Sequence, residues 1–368
     1  MSGGAEERRS GGVDVAILER ELHDLWKQMA GKSQQDGEQA VTRACVHNLV
    51  VYAPGERSET ELSRALSDLM VDQPGRVILI LADPKNSTDS LSAWVNAQCH
   101  RTSGERQQVC SEQIVVRAAG PQVRNLSSLV IPLLVPDLPV FFWWRDDLSA
   151  EWTAFEEVVE NADRVIVDSA RFAQPVETLR RLASIANSLR GSTSFSDLNW
   201  NRLTPWRQMT AGFFDHAVCG SALASLTAVD IQAHSPTGFS TQALMLASWL
   251  AARLGWKPLS GGDNILLTDA KGRRIQVRIF VRPPVEGSPR GLSTVTLRAE
   301  SPAVTLHMAL DPETRYLRGA AETAGARAAE RTSRAGRAGE EECLAGEMEI
   351  LGPDRMYEEA MSLLERIL

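Results

Sequence analysis

"RVILILAD", residues 76–83, is the stretch that sets the fold class. An almost wholly apolar run of this length, with no polar alternation, reads as a strand buried on both faces, which a parallel sheet covered by helices provides. Before it, "SETELSRALSDLM" (58–70) puts Leu62, Ala65, Leu66 and Leu69 on one side of a helix, and "VTRACVHNLVVY" (41–52) is a further strand. After it, a helix is expected through "LSAWVNAQ" (91–98), a strand in "SEQIVVRAAG" (111–120) and a helix in "VRNLSSLVIPLLV" (123–135). The strand "LPVFFWWRD" (138–146), a helix near 151–161 and the strand "DRVIVDSA" (163–170) complete the series. Strands alternating with helices predict an α/β domain with a mainly parallel sheet over residues 40–170.

The rhythm then changes. "PVETLRRLASIANSLR" (175–190) and "STQALMLASWLAARLGW" (240–256) are helical, the second apolar on more than one side and stopped by Gly255. "AVDIQAH" (228–234), "NILLTD" (264–269), "RRIQVRIFVRP" (273–283), "GLSTVTLRAE" (291–300) and "AVTLHMAL" (303–310) are strands, with "AKG" a hairpin turn. Residues 171–368 are therefore expected to form an α+β domain with a mainly antiparallel sheet. Within it, 319–346 is rich in Ala, Gly, Arg and Glu and is expected to be a peripheral, partly helical or irregular excursion. "MYEEAMSLLERIL" (356–368) is an amphipathic helix that docks. Residues 1–39 read as a polar tail, an amphipathic helix from Val13 to Met29 and a hydrophilic linker.

Composition narrows the classes of function. The chain has 368 residues, 43% hydrophobic and 23% charged, with a net charge of −8. Long-range repulsion makes nucleic acid a poor partner. Five widely spaced cysteines cannot complete an internal disulfide framework, no apolar run is long enough to span a bilayer, and "MSGGAEERRSGG" lacks a signal-peptide core. A cytoplasmic protein with no membrane partner is the expectation.

No glycine-rich dinucleotide turn follows an apolar strand, and no phosphate loop, HExxH pattern or GxSxG elbow occurs. No cofactor or metal is expected. Asp146 and Asp147 in "WRDD" stand where crevices form at the carboxyl end of a parallel sheet, but helix capping or surface solvation is the stronger reading, with catalysis or ligand contact the alternatives. Cys99 and Cys110 are the candidate redox pair, but a helix before the first and a strand after the second would separate them, so no high-yield bridge is expected.

"DLNWNRLTPWRQ" (197–208) offers Asn199, Trp200 and Arg207, with Arg145 at a strand end, as candidates for partner contact. Tryptophan presents a large rigid area and arginine pairs bidentately with carboxylate or phosphate. The competing reading packs Trp206, Met209, Phe213 and Phe214 into the core, with Trp200 and Arg207 open to either role.

"TRACVHNLVVY" (42–52), "QPGRVILI" (73–80), "LSSLVIPLLVPDLPVFFWWRDD" (126–147), "ADRVIVDSARF" (162–172), "DLNWNRLTPWRQMTAGFFD" (197–215) and "ASWLAARLGW" (247–256) together resemble the OpcA family. The resemblance covers roughly residues 40–310. It implies a non-catalytic assembly factor and allosteric activator of glucose-6-phosphate dehydrogenase, supporting the oxidative pentose phosphate pathway, with NADP and sugar phosphate held by the dehydrogenase. In cyanobacterial members it also implies thioredoxin-linked control through cysteines; spacing alone matches no pair here to that role. The alternative is an enzyme acting on a sugar phosphate or nucleotide near Arg145, Asp146, Asp147 and Arg207.

Overall fold

The computed structural model describes residues 13–35, 41–43, 45–54, 59–101, 108–148, 150–261, 264–284, 290–323, 326–336, 339–350 and 352–368. The N-terminal tail lies outside them. The chain forms two units, the first taking in described residues up to Asp168 with Ala186–Ser196 and Leu344–Gly352. The second comprises Ser169–Ile185, Asp197–Cys343 and Pro353–Leu368.

The first unit contains α1 (Val15–Gln35), β1 (Val41–Arg43), β2 (Asn48–Pro54), α2 (Glu59–Asp72), β3 (Arg76–Asp83), β4 (Ser90–Arg101) and β5 (Gln108–Ala119). It continues with α3 (Leu126–Val130), β6 (Val140–Trp144), α4 (Glu156–Glu160) and β7 (Arg164–Val167). Helix α5 (Pro175–Ser188) then leads back to β8 (Ser194–Asp197). The sheet order is β1-β5-β3-β2-β6-β7-β8, with β4 also on β5. The pairs β2·β3, β2·β6, β3·β5, β6·β7 and β1·β5 are parallel and β4·β5 is antiparallel. Val77, Ile78, Leu79 and Ile80 are buried, as the unbroken apolar run requires.

Residues 91–98 are a correction: they form the middle of β4, hydrogen-bonded along its length to β5. Leu91, Trp94 and Val95 have helical spacing, but twelve opposed residue pairs outweigh that local pattern. Helix α1 packs on its own unit through buried Leu18 and Leu22. Arg76, itself buried, donates to Glu19 at 2.6 Å and Glu112 at 2.8 Å, while the Trp26 indole donates to Glu112 at 3.0 Å. Burial works against the charge on Arg76, but the two carboxylates prevail and raise its pKa. The buried Arg164 donates to the carbonyls of Ile350 and Gly352, so the late segment 344–352 is clasped to this unit.

The second unit takes α5 as far as Ile185 and then α6 (Leu198–Arg202), α7 (Thr204–Phe214), α8 (Ala217–Gly220), β9 (Leu226–His234), α9 (Thr241–Leu254), β10 (Lys257–Ser260) and β11 (Asn264–Thr268). Five more strands follow: β12 (Arg274–Arg282), β13 (Gly291–Glu300), β14 (Ala303–Leu310), β15 (Tyr316–Thr323) and β16 (Ala326–Arg334). Then come α10 (Glu340–Met348), which from Leu344 onward belongs to the first unit, and α11 (Arg355–Ile367). The order is β10-β11-β12-β9-β13-β14-β15-β16, antiparallel except for β9·β12. Helix α9 ends at Gly255 with φ 65°, a left-handed cap open to glycine at little cost.

The segment 319–346 is the second correction, because it supplies most of β15, all of β16 and much of α10. Its small residues look unlike a strand but suit close packing. A Cβ on Gly319 would lie 2.6 Å from Phe213 and 2.8 Å from the Met209 sulfur, so α7 can press on β15 only because glycine is there.

Candidate functional site

Counting only β2, β3, β5, β6, β7 and β8 in order of appearance, the first sheet runs third, second, first, fourth, fifth, sixth. This is the doubly wound order whose switch point, here between β2 and β6, holds ligands beyond the strands' carboxyl ends. Tyr52 and Trp144 are opposed in register there, and their rings stack 3.9 Å apart at 4°. Trp152 and Phe155 meet Trp144 edge-on at 5.0 and 5.5 Å, and all four rings are buried. Aromatic side chains thus fill the sheet face beside the switch point, and β2 is followed by a single glycine, Gly55, in place of a glycine-rich turn.

Arg145 follows β6 and is only 3% exposed. Its guanidinium lies 4.5 Å from the Trp143 ring centroid and its backbone N–H donates to the Tyr52 carbonyl at 3.1 Å. Asp146 accepts from the Asp147 backbone N–H at 2.8 Å, and Trp144 donates to the Asp147 carbonyl at 3.2 Å. The acidic pair is therefore turn chemistry around the strand end. Arg207 belongs to the other unit. A feature the sequence reading passed over is a cavity of about 490 Å³ bordered by Pro84 and Asn86 after β3, Gly120 and Arg124 after β5, and Thr153.

In the second unit, "DLNWNRLTPWR" forms a buried polar knot. Asp197 caps α6, accepting from the N–H groups of Asn199 at 2.8 Å and Ser169 at 3.1 Å. The Asn199 amide donates to Ser169 at 3.0 Å and accepts from Gln242 at 2.9 Å and Arg202 at 3.2 Å. Gln242 in turn accepts from the Leu292 N–H at 3.0 Å, so one amide chain ties α6 to α9 and β13.

Trp200 is 2% exposed and tilts against Tyr357 at 5.6 Å. Arg207 sits 3.6 Å above its ring and donates to the Trp200 carbonyl at 3.2 Å and Thr204 hydroxyl at 3.0 Å. The expectation of an outward contact face here gives way to interior bracing for Asn199, Trp200 and Arg145, because a partner could reach them only after the fold opened. Arg207 is half-buried and committed to Trp200. Trp206, Met209 and Phe213 are core residues and Phe214 is half-buried.

The outward side of the second sheet is where charge is displayed. Asp230 on β9 accepts from Arg278 through both oxygens at 2.6 and 2.7 Å, and Arg298 on β13 forms an ion pair with it at 2.5 Å. Desolvation pushes the carboxyl up, but the two guanidinium groups outweigh it and hold its pKa below the ordinary value.

Cys99 and Cys110 are directly opposed Cα partners of β4 and β5, so the reading that separated them by a helix is corrected. Among the described residues no group of three or more His, Cys, Asp or Glu could hold a metal ion. Among them, too, no helix is long and apolar enough to cross a membrane.

Both units match family models. That described as the glucose-6-phosphate dehydrogenase subunit N-terminal domain matches residues 67–184, and that described as the subunit's C-terminal domain matches residues 193–361. The chain belongs to the OpcA family. The OxPP cycle protein OpcA of Synechococcus elongatus is 27% identical over 332 residues, covering 85% of this chain and 72% of that protein. The OpcA of Synechocystis is 30% identical over 210 residues, 57% of this chain, which spans only 42% of that relative's length. Among solved structures, a dehydrogenase, MviM, of Clostridium difficile is similar with a TM-score of 0.40 at 9% identity, covering 87% of this chain and 98% of that one. An oxidoreductase domain protein of Kribbella flavida has a TM-score of 0.45 at 10% identity, with 87% and 94% covered. Trp144, Trp152 and Phe155 lie in the N-terminal match, which Tyr52 precedes, and Asn199, Trp200, Arg207 and Tyr357 lie in the C-terminal one.

Proposed function

We infer that this OpcA chain is a non-catalytic subunit that binds glucose-6-phosphate dehydrogenase in the cytoplasm. There it promotes the dehydrogenase's active assembly or conformation, and thereby feeds the oxidative pentose phosphate pathway. The observation that carries the reading is the pairing of a family described as a dehydrogenase subunit, matched over both units, with a switch point lined by packed aromatic rings. A dinucleotide site needs backbone to approach a pyrophosphate closely, which glycine permits and stacked rings do not provide. The hydride chemistry is then the partner's, and this chain acts by binding one state of that partner more tightly than another. Thioredoxin-linked control through Cys99 and Cys110 is the regulatory part of the same proposal, supported by their opposed register.

The enzyme alternative has the cavity near Asn86 and Arg124 in its favour, but its bordering side chains offer one cation and no acid–base pair. Two measurements separate the readings. The isolated chain, given glucose 6-phosphate and NADP, should reduce no NADP above a protein-free blank. The same chain mixed with the cognate dehydrogenase should give a species heavier than either alone by light scattering. Turnover by the isolated chain would overturn the non-catalytic assignment.

A further inference from the structure

An antiparallel sheet with one solvated face is ordinary. The second sheet has that pattern, and its solvated face departs from the ordinary in its charge and in its exposed rings. Along β9 and β12–β15 buried positions alternate with positions that are exposed or half-buried; α9 packs against β9, β12 and β13, and α7 against β15 and β16. The outward positions carry Arg274, Arg282 and Arg318 beyond the Arg278–Asp230–Arg298 cluster, against Glu300 and Glu322. Edge strand β16 adds Arg327 and Arg334 against Glu330. This face is cationic on a chain whose net charge is −8.

Two large rings also stand on it, Phe280 at 45% and Tyr316 at 36% exposure. Between them the registers place the small residues Thr294, Thr296, Ala309 and Ala320 together with Gln232 and His307, none of them a carboxylate or a large apolar side chain. Eight strands at ~4.8 Å spacing and about eight residues at ~3.4 Å give an area of roughly 900 Å². One partner of a standard protein interface contributes about 800 Å².

The geometry points to this arginine-bearing face as the docking surface for an acidic surface of another protein. On the reading above that protein is the dehydrogenase, and this part of the inference rests on it. A second copy of the same chain is the wrong occupant, because face-to-face pairing would oppose cation to cation, which costs affinity. Arginine and exposed aromatics are also the residue types that anchor interfaces.

The test is the triple reversal Arg282→Glu, Arg318→Glu and Arg334→Glu in the full chain, compared with Lys27→Glu, Arg64→Glu and Arg190→Glu, the same change of charge on the first unit. Affinity for the dehydrogenase is measured by titration calorimetry at two salt concentrations, with thermal unfolding as the fold control. The face variant should bind at least about tenfold more weakly and show a flatter salt dependence, while the control stays within about threefold of the parent. Parent-like binding by the face variant overturns the docking surface and leaves the functional reading standing. Failure of the parent chain to bind overturns that reading, and with it the dehydrogenase as occupant. A parent that sediments as a dimer and becomes monomeric on face reversal overturns the acidic partner in favour of a second copy.

Discussion

The indole N–H of Trp200 donates to Asp354 Oδ2 at 2.7 Å, while Oδ1 of the same carboxylate caps α11 through the N–H groups of Met356 and Tyr357 at 2.9 and 3.1 Å. One side chain thereby fixes both the tryptophan and the start of the C-terminal helix. Asp354→Ala should cost about 2 kcal/mol, the sum of a lost cap and a lost charge-assisted hydrogen bond. Trp200→Ala should cost on the order of 3–5 kcal/mol as a core truncation, and Trp200→Phe less. Urea unfolding measures all three. A Trp200→Ala protein of parent stability would show that the ring is not a brace.

Gly319 predicts a second loss. The Phe213 ring and Met209 sulfur leave no room for a Cβ, so Gly319→Ala should destabilise by about 1–3 kcal/mol, and Gly319→Val by more. Unfolding midpoints unchanged by both substitutions would refute the close packing of α7 on β15.

These residues show what was legible in the sequence. The parallel-then-antiparallel architecture follows from long-lived patterns: the unbroken apolar run of β3 and the period-2 alternation of β12 and β13. β4 was misread because an edge strand's even half-burial leaves no alternation for the sequence to show. β15 and β16 are hard to read as strands because alanine and glycine are poor strand formers, and Gly319 makes sense only once Phe213 and Met209 are seen against it. The Trp and Arg content of "DLNWNRLTPWR" is equally suited to an interface or an interior. Its partners, Asp354 and Tyr357, lie more than 150 residues away, beyond the reach of local spacing. The outward arginines lie on four different strands, β12, β13, β15 and β16, and become one face only when the register is known.

His47 predicts a pH dependence. Burial lowers its pKa from 6.5 to about 4, and the ring meets Phe141 edge-on at 5.8 Å. The unfolded chain takes up the proton near 6.5 and the folded chain does not, so the unfolded state binds more protons between these values. Stability present above pH 6.5 should therefore fall as the pH drops toward 4, by up to about 3 kcal/mol. His47→Gln should remove that part of the slope between pH 7 and 5 in parallel denaturation series. An unaltered slope would assign the acid sensitivity to other groups.

The opposed register of Cys99 and Cys110 predicts a bridge. Directly opposed antiparallel residues have Cα atoms about 4.5–5.5 Å apart, inside the ~4.4–6.8 Å span of disulfides. Diamide should take two electrons from the two thiols and leave a Cys99–Cys110 peptide pair on mapping, which thioredoxin reverses. Two alkylatable thiols after that treatment would remove the pair from any redox role.

The central proposal is that this chain changes a dehydrogenase's activity without sharing its chemistry. Its most direct test is a titration of the cognate glucose-6-phosphate dehydrogenase with this chain, following NADP reduction at subsaturating glucose 6-phosphate. The account predicts a saturable rise in rate that levels off at a fixed ratio of the two chains and tracks complex formation. A rate that is unchanged across the titration, with both proteins folded, would contradict it.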